Sequence, residues 1–209
     1  MSSEKVANDL LRERGNIYSS REQMPAAVKL LGDNLRPLFW PHNDTFRQGR
    51  KLMHSLARER MAESYQPTQI LESTRLLHDL IQKPKDYEGW FERYSSGLIF
   101  RLGFGKVMEN HDDPTLKRLF KVDHELERIA SPGQYLVDTF PILMWLPDWL
   151  APFKRELKQL HREELSLFRS LLRNVEKEGE KAPDCWEKQY IEHKHEYGLT
   201  EDEGAYVVG

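Results

Sequence analysis

The sequence predicts an all-α protein, on three observations. Apolar residues recur at helical spacing in segment after segment, no run alternates with the period of two that a half-buried strand needs, and Pro and Gly cluster between the periodic segments. The composition agrees with a packed chain. Its 209 residues suffice for a sizeable core, and nine Phe, eight Tyr and five Trp exclude a disordered composition. Lys and Arg number 31 against 34 Asp and Glu, a net charge of −3, so nothing draws the whole surface to nucleic acid and any anion site must be local. The lone cysteine, Cys185, allows neither an internal disulfide nor a cysteine-pair metal site, which fits a reducing compartment. The opening MSSEKVANDLLRERG lacks the apolar core of a secretory leader, and no apolar run is long enough to span a bilayer.

Residues 4–14 place Val6, Leu10 and Leu11 on one face, with Gly15 as a stop. Residues 19–42 read as a loop punctuated by Pro25, Gly32, Pro37 and Pro41. Asp44 then offers an N-cap oxygen to a helix burying Phe46, Met53, Leu56 and Ala57, in which Gly49 costs about 1 kcal/mol relative to Ala. Residues 66–82 open with Pro67 in the first turn and repeat Ile70, Leu71, Thr74, Leu77 and Ile81, which predicts an amphipathic helix. Residues 87–102 are apolar all round and read as a buried helix, and residues 114–130 form another, opened by Pro114 behind Asp112 and Asp113. Four prolines break residues 131–153. The longest helix is predicted over 153–179, with Leu157, Leu160, Leu165, Phe168, Leu171, Leu172 and Val175 inward, and a shorter one follows over 184–196. Thr200 caps a last helix whose apolar half, AYVVG, closes the sequence, so its buried partners are expected to be missing.

Few motifs carry chemistry. Arg47, Arg50, Lys51, His54 and Arg58 recur at helical spacing and line one stripe, which is either a solvated face or an anion site. The G-x-G-K in LGFGK, residues 102–106, lacks phosphate-loop spacing and reads as a helix C-cap. Cys185 reads as a buried structural thiol. Glu192 and His195 form one E-x-x-H where di-iron bundles need two, and His193 points elsewhere. Neither a nucleophile elbow nor a paired catalytic carboxylate appears, so the residues alone assign no catalytic group. Residues 135–153, with Phe140, Leu143, Trp145 and Trp149, are either a packed loop or a surface for a membrane or partner.

The order of several segments resembles one family. IYSSR (17–21) is followed by PHNDTFRQGRKLMH (41–54), YQP (65–67), RLGFGK (101–106), PGQYLVDTFPILMWLPDWLAPFKR (132–155), DCWEKQ (184–189) and YGLTEDEGAYVVG (197–209). Together they resemble the N-terminal half of a fungal microsomal cytochrome P450, a haem-thiolate monooxygenase. The resemblance implies one domain over residues 1–209, truncated at both ends, all-α as present, with the family's strands and its haem-ligand region missing. It implies haem as cofactor, with Arg50 in the place of the arginine that binds a propionate and Phe46 where the family carries Trp, so one hydrogen bond is lost. It implies insertion of one oxygen atom from O2 into an apolar small molecule, with electrons from NADPH through a reductase docked on Arg47, Lys51 and Arg58. Residues 24–41 and 129–150 would wall the substrate pocket, and Phe140 to Trp149 would touch the endoplasmic reticulum membrane on its cytosolic face. The cysteine ligand segment F-x-x-G-x-R-x-C is absent, so the resemblance implies no metal ligand or catalytic residue here and no turnover by this chain alone. The competing reading is a non-enzymatic helical binding module whose basic face engages an acidic partner.

Overall fold

The computed structural model describes residues 3–110 and 112–209, omitting the side chains of residues 59 and 60. Among the described residues all regular structure is helical: α1 (Glu4–Ala7), α2 (Gly15–Tyr18), α3 (Asp44–Leu56), α4 (Glu59–Gln82), α5 (Tyr87–Phe104), α6 (Pro114–Ala130), α7 (Leu136–Thr139), α8 (Pro152–Glu178), α9 (Trp186–Tyr197) and α10 (Glu201–Val208). Short π and 3-10 turns, chiefly Pro25–Leu31 and Pro141–Trp145, join them.

The caps explain most boundaries. Asp113 accepts hydrogen bonds from the Thr115 and Leu116 amides and so starts α6. Thr200 and Glu203 form a reciprocal capping box that starts α10. Gly105, at φ 66°, ends α5, as LGFGK predicts. α3 starts one residue earlier than expected, on Asn43, whose side chain accepts from the Phe46 amide at 2.9 Å.

α8 carries the main core, as its stripe predicts. Leu167, Phe168, Leu171 and Leu172 pack with Leu52 and Leu56 of α3, Phe100 and Phe104 of α5, Leu116 of α6 and Tyr190 of α9. α10 lies in this cluster through Ala205, Tyr206 and Val208, so the expectation that its apolar half lacks partners is wrong: the Tyr206 ring packs against Phe168, tilted by 58° with centroids 4.8 Å apart. A second cluster joins Ala26 to Leu31 with Ile129, Val137 and Leu157, so the segment read as loop is a buried turn.

Other expectations fail for identifiable reasons. The first helix does not stop at Gly15, which instead begins α2, and Val6 and Leu11 are exposed. α4 begins at Glu59, with Pro67 inside it. Its predicted apolar stripe faces outward: Ile70, Leu77 and Ile81 (78% exposed) are uncovered, while Glu72 and Leu76 are buried. A periodic stripe fixes a face, not which face is covered. The interior of the α4–α5 hairpin is ionic. Glu72 receives hydrogen bonds from Arg93 (2.9 Å), Arg101 (3.0 Å) and Arg75 (3.2 Å), and Arg93 also reaches Asp79 at 3.2 Å. Glu72 and Arg93 are fully buried.

Gly49 is likewise no defect. The Trp40 ring lies against it, and a Cβ there would sit 2.2 Å from Trp40 Cζ3. The Trp40 indole N–H donates to the Asn34 carbonyl at 2.7 Å, which fixes the ring. The missing side chain therefore lets the 34–40 segment close onto α3. Phe46 and Met53 are half-buried and Ala57 is exposed, so the buried positions of α3 are Gly49, Leu52 and Leu56.

Candidate functional site

An open cavity of about 490 Å³ lies where the 36–38 turn, α3, α5, α6, α8 and α10 meet. Its wall is apolar through Pro37, Leu38, Met53, Ile99, Leu119 and Phe168, with Ser95, Ser96, Arg36, Asp123 and Tyr206 as the polar groups. That mixture, an apolar cleft with a few convergent polar groups, is the usual form of a small-molecule site. A larger groove of about 600 Å³ between α6 and α8 is rimmed by Arg118, Lys121, Arg162 and Glu163. Its Lys121 and Glu163 pair with each other at 2.7 Å on an exposed surface, which reads as a solvated face.

The polar wall is built across the sequence. Glu164 interrupts the inward stripe of α8 and is 1% exposed. Arg36 Nη2 meets its Oε1 at 2.5 Å. Burial pushes the Glu164 carboxyl up to about 7, against the charge and hydrogen bond of Arg36. Tyr206 is buried, and its hydroxyl lies beside Glu164 without a well-formed hydrogen bond; burial and the Glu164 charge raise it. Asp123, at the mouth, makes no ion pair among the described residues, and burial raises its carboxyl despite the opposing charge of Arg36. Perturbed groups converging on a cleft mark functional sites. Sequence reasoning missed all four. The one legible signal was a glutamate at position 164 inside an apolar stripe.

The residues singled out from sequence are placed as follows. Arg50 is exposed, has no ion-pair partner among the described residues, and sits one turn before Met53, which lines the cavity. Phe46, one turn earlier, is half-buried with its ring edge-on to His42 at 5.6 Å. The basic stripe is shorter than the spacing suggests. α3 ends at Leu56, Ala57 breaks the helix and Arg58 becomes the N-cap of α4, so Arg58 leaves the stripe. Lys51 donates to the Glu196 carbonyl at 2.9 Å and lies 5.5 Å over the Tyr197 ring, tying α3 to α9. Arg47 pairs with Asp44 at 3.4 Å in full solvent.

For a haem, the residues fit at one end only. Arg50 is an exposed guanidinium with no ion-pair partner among the described residues, a group chemically suited to a propionate, though it does not itself line the cavity. Cys185 does not suit iron. It is 2% exposed, packs with Val175 and Ala182 and lies outside the cavity lining, and burial raises its thiol. No step through iron can therefore be built from these residues.

The 141–150 segment is held firmly while its apolar side chains face out. Lys154 donates to the carbonyls of Met144 and Leu146, the latter at 2.7 Å, and Lys158 pairs with Asp148 at 2.6 Å. Trp145 is 87% and Trp149 74% exposed, with Phe140, Ile142 and Leu150 beside them in sequence and also exposed. Asp138 ties the preceding turn to the Ala26 amide at 2.8 Å. No helix among the described residues is long and apolar enough to cross a membrane.

No protein-family model matches the chain. Among known proteins, it is 32% identical over 213 residues to the cytochrome P450 monooxygenase virE of Hypocrea virens, covering 100% of this chain and 38% of that relative. It is 37% identical over 171 residues to the cytochrome P450 monooxygenase fogE of Aspergillus ruber, covering 81% and 32%. The cytochrome P450 monooxygenase aneD of Aspergillus aculeatus is 30% identical over 210 residues, covering 100% and 40%. The chain thus spans between 32 and 40% of these relatives' lengths. In three dimensions it superposes on a zebra fish cytochrome P450 solved with progesterone, with a TM-score of 0.73 at 18% identity, over 98% of this chain and 48% of that one.

Proposed function

We propose, because this chain belongs to the cytochrome P450 family and spans two fifths or less of the fungal relatives it matches, that residues 1–209 form one truncated domain supplying part of a haem monooxygenase. The observation that carries this is the sequence identity to three fungal monooxygenases along most or all of the chain. In the whole protein, haem would supply oxygen activation: an apolar R–H and O2, with two electrons from NADPH through a reductase and two protons, give R–OH and water. The chain's own residues would do the binding. Leu38, Met53, Leu119 and Phe168 would exclude water from an apolar substrate, and Arg50 would neutralise a propionate. Phe46, lacking an N–H, would offer that propionate packing alone.

The partners and location follow the same reading. Arg47 and Arg58 remain exposed and available to an acidic reductase; Lys51 is engaged with α9 and would contribute less. Phe140 to Trp149 would rest on the cytosolic face of the endoplasmic reticulum membrane, where indoles favour the interface. Replacing Trp145 and Trp149 together by Ala should lower partition onto phosphatidylcholine vesicles about tenfold or more, from the apolar area lost. Equal partition of the double variant in a flotation assay would remove the membrane assignment.

Haem titration followed by Soret absorbance tests the central reading. The chain should take up haem, and Arg50→Ala should weaken uptake about tenfold, the loss of one charge-assisted hydrogen bond. Arg47→Ala should change it little. Equal losses at both positions would favour a general basic face on a non-enzymatic module, and no uptake by the unaltered chain would end the propionate assignment. The reduced carbon monoxide complex should lack the red-shifted band of a thiolate ligand, because Cys185 is sealed in its own cluster.

A further inference from the structure

The cavity shared by the 36–38 turn and α3, α5, α6, α8 and α10 carries an unbalanced charge pattern. Its one lining cation, Arg36, is already in contact with Glu164 at 2.5 Å behind the wall. Glu164 is buried at 1% exposure, so solvent screens this contact little. Asp123 is the lining carboxylate, and no Lys, Arg or His pairs with it among the described residues. Beside it Tyr206, 5% exposed, lines the cavity while its hydroxyl is sealed from solvent beside Glu164. Ser95 and Ser96 add hydroxyls on the α5 side. Apart from the backbone of Gly209, the rest of the wall is aliphatic or aromatic.

We propose that this cavity selects an apolar molecule carrying a basic amine, with Asp123 as the counter-ion of the ammonium and Leu38, Met53, Leu119 and Phe168 around its apolar body. The inference rests on the reading of this cavity as the substrate-side pocket, and deepens it by naming a substrate class. A carboxylate is disfavoured because Asp123 repels it and Glu164 already occupies Arg36. A neutral alcohol can use the hydroxyls but gains nothing from the unpaired charge. A cavity of about 490 Å³ accommodates an aromatic ring with a short alkyl chain. The raised Asp123 carboxyl agrees: burial outweighs the nearby Arg36 charge, so this partly desolvated carboxylate gains from a cation in direct contact.

The test is isothermal titration calorimetry of the 209-residue chain with three matched probes, 4-phenylbutylamine, 4-phenylbutanol and 4-phenylbutyrate. The amine is expected to bind about tenfold tighter than the alcohol, as one charge-assisted contact predicts, and the carboxylate weakest. Asp123→Asn should remove the amine preference and leave the alcohol affinity unchanged. Glu127→Gln, one helical turn along α6, should leave the preference intact and so separates a local site from general surface charge. Asp123 is exposed, so its substitution leaves the core untouched, which far-ultraviolet circular dichroism will verify. Equal binding of amine and alcohol, a preference that survives Asp123→Asn, or no binding of any probe each overturns the proposal. Haem titration of the same samples reports separately on the monooxygenase reading: haem uptake without amine selectivity sinks this inference alone, and the reverse sinks only the haem assignment.

Discussion

Glu187→Gln should make the stability of this chain much less sensitive to alkali. Glu187 lies in the first turn of α9, is 0% exposed, and neither carboxyl oxygen has a hydrogen-bond partner. Burial, with a smaller push from the Glu176 charge, drives its carboxyl up to about 8 from an ordinary 4.5. The folded chain therefore holds a proton that the unfolded chain releases between these values. Stability tied to that proton is complete below pH 4.5 and is lost as the pH rises through 8. At about 1.4 kcal/mol per unit, the loss between pH 5 and 8.5 is about 4 kcal/mol. Gln keeps the shape and cannot ionise. Urea unfolding at pH 5 and pH 8.5 should show the unaltered chain losing about 4 kcal/mol more than the variant over that interval. Glu164, also raised, contributes a slope of the same sign in both proteins and cancels from the comparison. Parallel losses in the two proteins would show that Glu187 finds a partner or water in solution.

Glu72→Ala should be among the most damaging single substitutions. Burial alone would raise the Glu72 carboxyl, but the hydrogen bonds from Arg93 and Arg101 and the charges of Arg75 and Arg93 more than offset it, and the group ends below its ordinary range. Removing the carboxylate strands the Arg93 guanidinium at 0% exposure with only Asp79 in reach. An uncompensated buried charge costs about 3 to 5 kcal/mol. Arg75→Ala and Arg101→Ala remove half-exposed partners and should cost about 1 kcal/mol each. Replacing Glu72 and Arg93 together by Met should cost less than Glu72→Ala alone, because neither charge is then left unpaired. Denaturant midpoints of these variants decide the matter: a Glu72→Ala loss no larger than that of Arg101→Ala would mean that water reaches the hairpin interior. The pH window is opposite to that of Glu187, since this contribution is present above pH 4.5 and disappears on acidification through the depressed value.

The two carboxylates also mark where reading the sequence succeeds and where it stops. Local signals were legible: the Asp113 and Thr200 caps, the Gly105 stop and the α8 stripe need only a few neighbouring residues to specify them. Family membership was legible from the order of segments. Long-range pairings were not. Nothing near Arg36 announces Glu164, nothing near Gly49 announces Trp40, and the stripe of α4 gave a helix but the wrong covered face. The break that removes Arg58 from the basic stripe occurs at Ala57, a residue without turn character. In each case the deciding partner is distant in sequence or the backbone departs from its propensity under tertiary packing.

Lys154 and Lys158 have a consequence for how residues 141–149 would meet a bilayer. A free loop with two indoles would surrender rotational freedom on reaching lipid, and that loss of disorder would weaken adhesion. Here the carbonyls of Met144 and Leu146 and the carboxylate of Asp148 are already tied to the first turns of α8. The freedom is given up during folding. Adhesion is then governed by the apolar area of a preshaped wedge, and its strength should depend weakly on temperature-driven loop disorder.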